Sequence, residues 1–97
     1  MGFKIIFSPQ SLERLGEIVR HIAHDNPAAA LRFGMKMLDH AQLLSDFPEL
    51  GRHYPKRVNV RRLLVKPYFI YYRVQQEMQT VEILDFWHGA RQEPTLF

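Results

Sequence analysis

Two proline-led helix starts, Ser8-Pro9 and Asn26-Pro27, constrain this chain more than any other feature. Ser8 and Asn26 each carry a side-chain oxygen that can accept a backbone N–H of a first helical turn, and proline gives up no hydrogen bond at the next position. After the first start, Leu12, Leu15, Ile18, Val19, Ile22 and Ala23 recur as the apolar stripe of an amphipathic helix. After the second, Ala30, Phe33, Met37, Ala41 and Leu44 fall on one helical face. Ala28, Ala29, Ala30 and Gly34 keep that helix narrow enough for close approach. The spacing predicts a helical hairpin with almost no loop between its arms.

A helical hairpin cannot bury both its stripes alone, and the rest of the chain supplies strands. Residues 3–7 are β-branched and aromatic and read as a first strand. Phe47-Pro48-Glu49-Leu50-Gly51 ends the second helix, and residues 52–59 read as a loop. Three strand-like runs follow, Val60–Lys66, Tyr68–Gln75 and Thr80–Trp87, separated at hairpin length. The last run has apolar residues on both faces, which predicts a more central strand. The expected fold is α+β, in the order β-α-α-β-β-β, with the hairpin packed on a small, mainly antiparallel sheet.

A chain of 97 residues suits one domain, 1–97, with one core. It has no cysteine, which removes disulfides, thiolate chemistry and Cys-ligated zinc. No apolar run approaches the roughly 18–20 residues that span a bilayer, and the apolar N-terminal run is too short for a signal peptide. A cytoplasmic protein with no membrane partner is expected.

The net charge of +3 conceals an uneven distribution. Residues 51–76 hold seven cations (Arg52, Lys56, Arg57, Arg61, Arg62, Lys66 and Arg73) and no acid, whereas residues 77–97 carry a balance of −3. Such a block points to an anionic partner, either nucleic acid or an acidic protein segment. On a strand of period two, Arg61, Leu63 and Val65 face one way and Arg62, Leu64 and Lys66 the other. In the next run Tyr68, Ile70, Tyr72 and Val74 share a face, opposite Phe69, Tyr71 and Arg73. Exposed aromatics interleaved with arginine would suit stacked bases and phosphates. Cross-strand Arg–Tyr pairs that merely stabilise a sheet predict the same pattern.

Signatures of catalysis are sparse. The sequence contains no glycine-rich phosphate loop, no G-x-S-x-G and no H-E-x-x-H. His21 and His24 lie three apart without a third ligand at convincing spacing, so neither a metal nor a cofactor is expected. At the C-terminus, His88 is placed to act as a general acid or base, and Arg91 to hold a phosphate or carboxylate. Structural roles compete: His88 capping the sheet edge, and Arg91 pairing with Asp85 or a chain terminus.

Five separated motifs occur together: Asn26-Pro27-x-Ala29-Ala30, Phe47-Pro48-Glu49-Leu50-Gly51-Arg52, Val60-x-Arg62-Leu63 with Arg61 between, Tyr68-x-Ile70-x-Tyr72-Arg73-Val74, and His88-Gly89-Ala90-Arg91. As a set, over roughly residues 3 to 93, they resemble the RelE/ParE superfamily of bacterial toxins, the toxin halves of type II toxin–antitoxin modules of the plasmid-stabilisation kind. The resemblance implies the same β-α-α-β-β-β fold and a cognate antitoxin partner, a protein with a disordered, often acidic C-terminal segment. It leaves two targets. RelE-like members cleave mRNA on the ribosome, and ParE-like members inhibit DNA gyrase by binding.

Phe69 stands where the nuclease branch has an arginine before the Ile-Tyr-Tyr run. Phe97 stands where that branch has its C-terminal tyrosine, and it has no hydroxyl. With the Pro-Glu-Leu-Gly-Arg segment and the His-Gly-Ala-Arg ending, the resemblance favours the ParE-like branch, a binding inhibitor rather than a hydrolase. It implies target contacts at Arg61, Arg62, Arg73, His88 and Arg91, and antitoxin contacts at Arg52, Arg57, Arg61 and Arg73. As a ribonuclease the chain would use Arg61, Arg62, His88 and Arg91. A homologue that only binds its antitoxin is the third reading.

Overall fold

The computed structural model describes residues 2–96. Strand β1 (Lys4–Phe7) leads into Ser8, whose hydroxyl accepts the Ser11 N–H at 3.1 Å and caps helix α1 (Pro9–Asp25). Asn26 caps helix α2 (Pro27–Leu43) in the same way, accepting the Ala29 N–H at 3.0 Å. One residue therefore joins the helices, as the twin caps require. The strands that follow are β2 (Arg52–His53), β3 (Val60–Val65), β4 (Tyr68–Gln75) and β5 (Thr80–His88).

The sheet order is β1-β5-β4-β3-β2. Strand β1 pairs parallel to β5, with Ile5 opposite Val81, and the remaining neighbours are antiparallel. The helical hairpin carries the chain from β1, on one edge of the sheet, to β2, on the other. Strand β5 is internal, as its two-sided apolar pattern predicts. The short β2 corrects the reading of 52–59 as a loop: Arg52 pairs with Arg62 and His53 with Arg61. Two exposed polar residues show no alternation, so only pairing with β3 defines this edge strand.

The core forms two clusters on opposite faces of the sheet. Against the helices, Met37, Ala41 and Leu44 of the α2 stripe meet Val65, Ile70, Tyr72, Val81, Ile83 and Phe86. Fully burying a side chain of this size is worth about 1.5–3 kcal/mol. On the other face Tyr54, Val60, Tyr71 and Leu84 pack together. The α1 stripe needs one correction, because Leu12 is 54% exposed and Ser11 takes the buried position. The Ser11 hydroxyl donates to the Ser8 carbonyl at 2.8 Å, which makes its burial tolerable.

A bulge lies where the register shifts between Tyr71 and Tyr72. Tyr71 faces Asp85 but Tyr72 faces Ile83, so Leu84 is the extra residue. The shift lets Ile83 and Phe86, three apart, both reach the helix-side core, while Leu84 and Trp87 join the other cluster. It also places the Asp85 carboxylate, with its side chain fully buried, against α1.

Candidate functional site

Folding brings much of the basic block against the acidic C-terminal third. Arg73 donates from Nε to Glu82 at 2.7 Å across the β4–β5 pair. Arg62 lies 3.6 Å from Glu93 and stacks over Phe69 and Tyr54, at 4.6 and 5.3 Å from the ring centroids. Lys56 makes a close ion pair with the same Glu93 carboxylate. Arg61 turns its guanidinium to the backbone, donating to the Gly51 carbonyl at 2.8 Å, with His53 Nε2 at 3.2 Å. Arg52 is exposed on β2, and Arg57 is half-buried in the turn after Tyr54. The predicted antitoxin set is therefore spread over the β2–β4 side of the sheet, with Arg73 already bound to an internal acid.

Tyr68 and Phe69 of β4 are half-buried, and its other two aromatics are not available for base stacking. Tyr71 is 1% and Tyr72 0% exposed, each packed into one of the two cores. The Tyr72 hydroxyl donates to the Pro48 carbonyl and accepts the Gly51 N–H, both at 2.8 Å. Burial pushes its pKa up, and the Gly51 N–H partly offsets that rise. Period-two reasoning assigns the faces correctly, and its cross-strand alternative describes these tyrosines: Arg61 stands opposite Tyr72 and Arg62 opposite Tyr71.

His88 and Arg91 come together in a cleft of about 220 Å³ between α1 and the end of β5. Arg14, Glu17, Ile18 and His21 line it from α1, one helical face at spacings of three and four. Tyr68 stands opposite His88 across the β4–β5 pair, with the rings edge to face at 5.1 Å. His88 Nδ1 accepts the Ala90 N–H at 3.0 Å, which leaves Nε2 as the protonated nitrogen of the neutral ring. Among the described residues Arg91 has no ion-pair partner. The expected Arg91–Asp85 pair does not form, because Asp85 is held by Arg14 Nε at 3.2 Å and Gln10 Nε2 at 2.9 Å.

The structure thus divides the predicted residues into two sets. His88 and Arg91 share one cleft, whereas Arg61, Arg62 and Arg73 lie on the sheet. Sequence reasoning missed Arg14 and weighed His21 only as a metal ligand, although their signal was present: they share a face of α1 with Glu17 and Ile18. It also missed Glu93, whose ties to Lys56 and Arg62 have no local signal. Phe97 lies outside the described residues. His21 and His24 are exposed, and among the described residues no three metal-ligating side chains cluster. No helix among those residues is long and apolar enough to cross a membrane.

Two helices on one face of a five-stranded mixed sheet, with a cleft holding Arg14, His88 and Arg91 at the end of β5, define a small α+β architecture. Residues 5–93 match the family described as ParE toxin of type II toxin-antitoxin system, parDE, and the chain belongs to that family. It is 35% identical over 94 residues to "Putative toxin Y4kP" of Sinorhizobium fredii, covering 94% of this chain and 93% of that protein. The chromosomal ParDE system from P. aeruginosa contains a chain with the same fold, at TM-score 0.76 and 20% identity, over 89% of this chain and 95% of that one. The RelBE2 toxin–antitoxin complex from Mycobacterium tuberculosis contains another, at TM-score 0.68 and 22% identity, over 91% of this chain and 99% of that one.

Proposed function

We propose that this toxin inhibits DNA gyrase by binding it and is neutralised by a cognate antitoxin. Family membership across residues 5–93 is the observation that carries the reading. The cleft geometry is compatible with it. His88 is tied to its own turn through Nδ1, and Arg91 is exposed, an arrangement that offers a donor and a cation to a surface. Inhibition by binding needs surface complementarity and no proton-transfer set.

The antitoxin reading draws on a second surface. Leu31, Met35 and Leu38 are 65%, 56% and 45% exposed and fall on one face of α2 at spacings of four and three. An unpartnered apolar stripe of this kind suits the hydrophobic side of an amphipathic segment that folds on binding. Arg52, Arg57 and Arg61 offer the acidic side of such a segment its charge partners.

The test is a supercoiling and cleavage assay with purified, antitoxin-free protein. Inhibition with accumulation of cleaved DNA, reversed by antitoxin, supports the proposal. No effect from folded protein overturns it and moves the reading to ribosome-dependent mRNA cleavage. That second reading has one observation in its favour, the placement of His88 beside Arg14 and Arg91 in a single cleft. It requires that His88→Gln abolish cleavage, whereas gyrase inhibition should survive that change.

A further inference from the structure

Arg91 is exposed, yet the chain that carries it is held on both sides. Up to Arg91, each backbone N–H of the turn after β5 has a partner. Gly89 donates to the Pro67 carbonyl at 2.8 Å, Ala90 to His88 Nδ1 at 3.0 Å, and Arg91 itself to the His88 carbonyl at 3.1 Å. A Cβ at Gly89 would stand 3.2 Å from both the Pro67 carbonyl oxygen and the Phe69 ring, so glycine suits this close approach. Beyond Arg91, the Trp87 indole N–H donates to the Gln92 carbonyl.

The indole is itself fixed. Its ring packs against the cluster of Tyr54, Val60, Tyr71 and Leu84, and the Arg14 guanidinium lies 4.5 Å from its centroid. Arg14 is held by Asp85, whose other carboxylate oxygen accepts Gln10 Nε2 at 2.9 Å. A side-chain amide has two hydrogens to donate, and Gln10 Nε2 also reaches the Thr95 carbonyl at 3.2 Å. These contacts close a ring from Trp87 through Arg14, Asp85, Gln10 and Thr95 back to Gln92. Exposed chain beyond a strand is well ordered only where it is tied down, and here the tie falls directly after Arg91.

We infer that Trp87 is a positioning residue for the toxin's target contact: its indole N–H clamps the chain beyond Arg91, so that the cation is presented beside His88 in one place. The inference rests on the reading of Arg91 as a target contact and adds the residue that makes this contact rigid. A guanidinium on a free segment would have to be ordered at the moment of binding, which weakens association by about three- to tenfold. The clamp meets that cost during folding. The N–H carries the role, because packing and the contact with Arg14 need only an aromatic face.

The experiment compares the full-length Trp87→Phe variant, which keeps an aromatic ring and loses the N–H, with the unaltered chain. Backbone order parameters at Arg91 and Gln92, from ¹⁵N relaxation, should fall from about 0.85 to below about 0.6. The amount of soluble toxin per cell at half-maximal growth inhibition should rise about three- to tenfold. A structural role alone would lower stability and leave the order at Arg91 and Gln92 unchanged, and that result overturns the inference. Lost order with undiminished potency overturns it as well. Arg91→Ala, measured alongside, separates the two failures. Full toxicity in Arg91→Ala removes the target contact itself, whereas relief there with full potency in Trp87→Phe removes only the clamp.

If Trp87→Phe does not fold, the unaltered chain still decides. Order parameters near about 0.85 at Arg91 and Gln92, with an indole N–H protected from exchange, support the clamp. Values below about 0.6, or an indole N–H that exchanges as fast as free tryptophan, overturn it.

Discussion

Arg14 and Asp85, 71 positions apart in sequence, meet with Nε 3.2 Å from Oδ1, and their contact ties α1 to β5 beside the bulge. The Asp85 carboxylate also accepts the Phe86 N–H at 2.9 Å and Gln10 Nε2 at 2.9 Å, so its burial is satisfied by three donors. The anchored guanidinium lies 4.5 Å from the Trp87 ring centroid and forms one wall of the cleft that holds His88 and Arg91. One buried acid therefore positions both the helix and the cleft.

Removing that acid leaves Arg14 and Gln10 without their partner, and loss of one member of a buried pair costs about 3–5 kcal/mol. Because Arg14 is 33% exposed and retains Glu17, Asp85→Ala should fall at the low end of that range. Urea denaturation reads the change directly. A loss below about 1 kcal/mol would show that the contact contributes little.

Gly51 occupies a position where a Cβ would stand 2.8 Å from the Arg62 carbonyl oxygen and 2.8 Å from the Tyr72 ring. Gly51→Ala should cost about 1–3 kcal/mol through overpacking. Tyr72→Phe should cost about 1–3 kcal/mol because it orphans the Gly51 N–H and the Pro48 carbonyl. The two sites touch, so a double-mutant cycle should show coupling. Simple additivity would separate the steric from the hydrogen-bonding account.

Tyr72, through burial, and Tyr54, through burial and then its hydrogen bond to Glu93, both have raised pKa values. The folded state thus favours the neutral phenols. Their contribution is fully present below the unfolded value of about 10 and is lost as the pH rises through the folded values. Stability should decline above pH 10, and Tyr72→Phe should flatten that decline. An equally steep decline in the variant would assign it to other groups.

Glu93 behaves in the opposite sense. Its hydrogen bond to Lys56 is the largest influence holding its pKa below the ordinary value of 4.5. The ties between Glu93 and its cations are present above that value and lost as the pH falls through the depressed one. The Trp87 indole resonance should shift over that acid range if residues 92–96 release together. A Glu93→Gln chain should show no such acid transition.

Arg91 is exposed and has no ion-pair partner among the described residues, so Arg91→Ala should change stability by less than about 0.5 kcal/mol. The proposed target contact requires that it nevertheless relieve growth inhibition. Relief accompanied by unfolding would make the arginine structural. Dissociation of the antitoxin complex should accelerate with salt, and a salt-independent rate would remove the basic block from that interface.

Local sequence determined the elements of this protein. Ser8-Pro9 and Asn26-Pro27 set both helix starts, and alternation assigned the faces of β3 and β4, whereas α2 ends at Leu43, before the breakers Pro48 and Gly51 are reached. Each signal concerns neighbouring residues, and caps and periodicity are local chemistry. Tertiary structure decided the rest. Only pairing with β3 defines β2, only the bulge at Leu84 aims Asp85 toward Arg14, and only folding brings Glu93 to Lys56 and Arg62. It also decided that Tyr71 and Tyr72 are core. Exposure, register and ion pairing depend on which distant residues meet, and no spacing along the chain contains that information.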